Sequence, residues 1–162
     1  MENKNIPEGF TLSLALMDSL PVCTFSVSMF IIAFKFKSIL FILGALCCIL
    51  AGCGKVLWKI MLAVRHQDIV WLNKPFKYLM SIGFILMLVS LIVQRKQISF
   101  ALLVSKITSF PAILFFGLGL FGMMAMMMMA KRLDKQNARH NWIEQCTNLF
   151  AQMMILIGIL LC

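Results

Sequence analysis

An all-α bundle of about five helices that cross a bilayer is the architecture this sequence predicts, and three observations predict it. The chain of 162 residues is 62% hydrophobic and only 13% charged, whereas soluble domains are about half apolar and a quarter charged. Its mean hydropathy is +0.96. Its uncharged runs approach or exceed the length of about 20 residues that a helix needs to cross the hydrocarbon, and short basic breaks separate them. So few charges could not cover an apolar core with polar surface, and the bilayer must act as the solvent. Backbone groups have no partner in lipid unless they bond within their own segment, so every span must be helical. The spans use nearly the whole chain, and residues 1–162 form a single transmembrane domain with no room for a second.

The first span is predicted over roughly 10–34, closed by Lys35 and Lys37. The second covers 38–59, because the helical pattern continues past the uncharged stretch through Lys55, Trp58 and Lys59. The third covers 76–94, between Asn73-Lys74-Pro75 and Arg95-Lys96. The fourth covers 107–130, between Lys106 and Lys131-Arg132. The fifth covers 142–162, with Asn141 and Glu144 spaced as a helix N-cap pair. Two short apolar runs do not reach spanning length. Ile69 to Leu72 is expected to lie among the headgroups. Ile98 to Val104 is either an interfacial turn or an early start of the fourth span. The N-terminal Met-Glu-Asn-Lys-Asn lacks a basic leader and no small-x-small cleavage site comes after it, so a removed signal peptide is not expected.

Five spans place the two termini on opposite sides. Side A holds the N-terminus, the loop after the second span and the loop after the fourth. Side B holds the turns at Lys35 and Arg95 and the C-terminus. Ten of the Lys and Arg residues fall on side A and five on side B. Cytoplasmic loops collect Lys and Arg, so side A is expected to be cytoplasmic. Trp58, Trp71, Trp142 and Tyr78 also fall on side A, as a one-sided aromatic belt. The net charge of +9 is explained by these basic loop ends. It does not point to nucleic acid, since no dense basic run has the polar length to bind a duplex. The partners expected are the lipid bilayer and, for a chain with an odd number of spans, a second copy or a membrane partner subunit.

Several patterns have a plain packing explanation. Gly117-Leu-Gly119-Leu-Phe-Gly122 matches the dinucleotide fingerprint, but that motif works only between a strand and a helix in a soluble unit. Inside a span the glycines serve close helix approach. Gly44, Cys48 and Gly52 recur every four residues and are expected on one helix face, which Lys55 and Lys59 extend. The block Met123 to Met129, interrupted only by Ala125, is read as adaptable apolar filler rather than a copper path. The six cysteines have no disulfide or zinc spacing. His66 and His140 are expected in side A loops with no partner at ligand spacing. No cofactor is implied.

Asp18 is the most informative single residue, because a carboxylate inside a span is expensive. It lies about 24 Å from the side B end of its helix at 1.5 Å per residue, and Lys55 lies about 25 Å from the same end of the next one. The spacing therefore predicts an ion pair of Asp18 with Lys55 or Lys59 near the cytoplasmic interface. Pro21 removes a backbone hydrogen bond one turn later, which would kink the span beside the carboxylate. Gln145, Asn148 and Gln152 make a polar stripe on the fifth span. Gln145 and Asn148 reach the depth of Asp18, and burial of such amides calls for partners in the bundle or a wet cavity. Asp18, Lys55, Lys59, Tyr78, Gln145 and Asn148 thus form a candidate ligand-binding layer. Its leading reading is a pocket that binds or moves a small solute or ion. The alternatives are a structural subunit of a membrane complex and a membrane-embedded enzyme acting on a lipid-type substrate. An enzyme is the least favoured, since the side A loops lack the clustered acids and histidines such chemistry uses.

Overall fold

The computed structural model describes residues 11–65, 69–95, 99–133 and 137–162. Six helices and no strand occur among them: α1 (Leu12–Phe36), α2 (Ile39–Arg65), α3 (Val70–Val93), α4 (Phe100–Thr108), α5 (Ala112–Arg132) and α6 (Ala138–Leu161). All but α4 are long and apolar enough to cross a membrane. The chain is an all-α, multi-pass membrane protein.

Local sequence sets the helix ends. Thr11 accepts from Leu14 N and starts α1. Lys37 ends it in the left-handed region at φ 48°, and its amide N–H donates to Ala33 O at 3.1 Å. Ser38 then caps α2 through Phe41 N. Pro21 sits inside α1 without ending it.

Three boundaries differ from the sequence reading. Ile69 to Leu72 is not a separate headgroup segment, because α3 begins at Val70 and carries Pro75 in its second turn. Proline has no N–H to donate, so the bond to Trp71 O is missing there while the helix continues through it. The fourth span begins at Ala112 rather than near 107. A separate helix, α4, covers 100–108 and is capped by Ser99. Pro111 excludes Phe110 from helical geometry, and the chain restarts from Pro111. Finally, α6 starts one turn before Asn141: Asn137 Oδ1 accepts from Arg139 N at 2.9 Å. His140 therefore lies in the first turn of α6, half-buried, rather than in a loop. The N-terminal ten residues, His66, Lys96 and Lys135 lie outside the described residues.

The helices form a single row, α3–α2–α1–α6–α5, with α4 resting on α5. Small residues close the two outer pairs. A Cβ added at Gly83 would lie 2.5 Å from Cys48 Sγ and 2.7 Å from Gly44 O, so only glycine fits between α2 and α3. A Cβ at Gly122 would lie 2.8 Å from Ala151 Cβ, between α5 and α6. The expected single face of Gly44, Cys48 and Gly52 is divided. Gly44 and Cys48 meet α3, whereas Gly52 meets Val22 of α1. Each four-residue step advances about 40° past a full turn, so the stripe drifts from one neighbour to the next.

Candidate functional site

The polar layer on side A is built from α1, α2, α3 and α6. Lys59 Nζ lies 2.6 Å from Asp18 Oδ2, and the two side chains are only 17% and 11% exposed. Lys55, one turn earlier, has its ammonium 4.7 Å from the ring centroid of Phe76 on α3. The drift that divides the glycine stripe also divides these lysines: Lys55 turns toward α3 and Lys59 toward α1. An ion pair at this depth replaces two costly charges with a neutral unit, and the Lys methylenes lie along apolar surface.

The row brings Gln145 to a similar depth. Lys35 Nζ donates to Ile159 O at 3.2 Å, which fixes the register of α1 on the parallel α6. Counting back equal lengths from that contact brings Asp18 close to level with Gln145. Gln145, Gln152 and Ile159 recur every seven residues along one side of α6. Gln145 Oε1 is buried and accepts no hydrogen bond. Gln152 Nε2 donates to Met123 Sδ of α5 at 3.6 Å. Asn148 is half-buried one turn from Gln145.

Tyr78 is placed apart from the other five. It is 73% exposed on α3, and α3 packs on α2. Trp71 shares its face one heptad earlier and is equally exposed. Together they form an outward aromatic edge of the kind that anchors a helix at the membrane interface. The methionine block also has two sides. Met123 and Met129 turn to Gln152 and Thr147 of α6, while Met124, Met127 and Met128 are exposed. Gly119 and Gly122 of the glycine motif pack on α6, and Gly117 faces open space.

Sequence reasoning missed two features on side B. Ser38 and Ser90 hydroxyls bond at 2.7 Å in a buried contact between α2 and α3. The signal was present: each serine lies at the side B end of its helix, next to the basic turns. The second is a cleft of about 480 Å³ lined in part by Lys35, Lys37 and Lys106. In the sequence those lysines serve only as markers of orientation.

Among the described residues, no three His, Cys, Asp or Glu side chains gather as a metal site. Fold and polar layer together define the class: a small polytopic helical membrane protein with a charged pair inside its spans. Comparison with family models, curated proteins and solved structures returned no match.

Proposed function

We propose that this protein binds a small polar solute or ion in the side A layer, at the junction of α1, α2 and α6. The observation that carries the reading is the bare Oε1 of Gln145, close in depth to the Asp18–Lys59 pair. A buried acceptor left unpaired costs about 1–3 kcal/mol, and such groups mark places where something polar belongs. Asp18 is the ionisable element, Lys59 its counter-charge, and Gln145 and Asn148 the neutral polar wall. Lys55 flanks the layer from α2, and Tyr78 lies deeper on α3, close to the level where Met80 O meets Cys48 of α2. The positive-inside rule makes this layer cytoplasmic, with the N-terminus on that side and the C-terminus opposite.

The test is Gln145→Leu in purified protein, with thermal melting followed against a panel of monovalent ions, amino acids and small carboxylates. On this reading at least one solute stabilises the parent, by about 2.7 kcal/mol at a hundred times its dissociation constant. The variant then loses that response. If no solute acts and the variant melts higher than the parent, the layer is structural.

A second reading has its own observation. Gly117 faces open space, and Met124, Met127 and Met128 are exposed two to three turns further along α5. A glycine with adaptable apolar neighbours suits the close approach of another helix, as in a subunit of a membrane complex. A stable complex on gentle extraction, lost on Gly117→Leu, supports it.

A further inference from the structure

The side B cleft lies at the opposite end of the helices from the Asp18–Lys59 layer. Its volume is about 480 Å³. Lys35 and Lys37 approach it from the end of α1, and Lys106 from α4. Phe36, Leu102 and Leu103 supply apolar wall between them. Lys35 Nζ already donates to Ile159 O. Among the described residues neither Lys37 nor Lys106 has a carboxylate partner.

The sequence explains why. No Asp or Glu occurs in the turn between α1 and α2, in the segment between α3 and α5, or in the later turns of α6. Three ammonium groups therefore converge where the chain offers no acidic side chain to neutralise them. Like charges held together raise one another's energy unless an anion sits among them. No acidic side chain of these segments supplies the counter-charge.

We propose that this cleft is a binding site for an anionic phospholipid. Its phosphate lies among Lys35, Lys37 and Lys106, and its acyl chain runs along Phe36, Leu102 and Leu103. The apolar wall selects a lipid over a free anion, which would gain nothing from it. The depth agrees, because the lysines sit where the spans end and headgroups begin. Basic pockets between transmembrane helices are a recognised way to hold such headgroups. α4 makes the site possible. Split from α5 at Pro111, it is too short to span and brings Lys106, Leu102 and Leu103 to the mouth of the cleft.

The experiment is native mass spectrometry of the full chain in detergent, titrated with phosphatidylglycerol and, separately, with phosphatidylcholine. Phosphatidylglycerol is expected to bind more tightly. In Lys37→Gln/Lys106→Gln its affinity is expected to fall about fivefold for each lysine removed. The matched variant Lys131→Gln/Arg132→Gln, on side A, is expected to leave it unchanged. Equal affinity for the two lipids overturns the proposal. So does a loss of equal size in the side A variant, which would indicate general surface charge. Displacement of the bound lipid by millimolar inorganic phosphate also overturns it, because the phosphate alone would then be the ligand. If the double variant does not elute as a single species, Lys106→Gln alone carries the test, with a loss of about fivefold expected.

Discussion

The α2–α3 and α5–α6 pairs are built alike, while the junction that joins them through α1 is built differently. Within each pair, glycines let the backbones approach so closely that an added methyl would collide with the neighbour: Gly44 and Gly83 in one, Gly119 and Gly122 in the other. Among the described residues, α1 has glycine help only from Gly52, against Val22. Its named ties are polar: Asp18 to Lys59 of α2 on side A, and Lys35 to the Ile159 carbonyl of α6 on side B. In lipid, apolar surface gives helices no reason to prefer one another, so shape and polar contacts decide. The pairs use shape and the junction uses charge. A junction held by a few directional contacts has fewer ways to be satisfied than a packed seam, and the candidate solute layer lies on it.

The largest effect that would break this comparison is at the ion pair. Lys59→Met leaves Asp18 buried without a partner and is expected to cost about 3 kcal/mol, read as a lowered melting temperature in detergent. Adding Asp18→Asn should restore most of that loss. A double variant as unstable as the single one would show that the pair does not hold the junction.

Next in size is a matched pair of substitutions on α5. Gly122→Ala is expected to cost about 2 kcal/mol by overpacking against Ala151. Gly117→Ala, facing open space, should be neutral or stabilising by up to about 1 kcal/mol through helix propensity. Similar melting temperatures for the two would remove shape as the basis of the outer pairs. The smallest effect is expected at Ser90→Ala, which removes the Ser38 contact. The loss should be about 0.6 kcal/mol, the usual size of a hydrogen bond between membrane helices. A loss several times larger would mean that polar contacts matter within the pairs as well as between them.

Depth was legible in the sequence, and direction around each helix was not. Rise per residue converts sequence distance from a helix end into depth, so Asp18 and the two candidate lysines could be placed at one level. Which lysine turned to α1 depended on which neighbour lay on which side of α2, and spacing along one chain does not contain that. Tyr78 departs in both respects: the α2–α3 register sets it deeper than Lys59, near the level of Cys48, and its outward direction follows from α3 standing at the end of the row. Helix ends were harder than helix centres. The run at Ile69 to Leu72 was too short to declare itself, and it is helical by continuing into α3. The run at Ile98 to Val104 falls largely in a separate helix because Pro111 breaks the chain between α4 and α5. The side B lysines were visible as charges, but their convergence on one cleft required α4 to fold back beside the end of α1.

The partners of α1 also arrive at very different times during synthesis. Lys59 belongs to the very next span, so Asp18 can be neutralised as soon as the first hairpin has left the ribosome. A lone carboxylate would hinder entry of that helix into the bilayer, and the hairpin lets the two charges enter together. The opposite side of α1 must wait for α6, after α3, α4 and α5 have all been made. Until then the α1 flank destined for α6 is open to lipid or to another protein, and assembly of the row is completed only when Ile159 reaches Lys35.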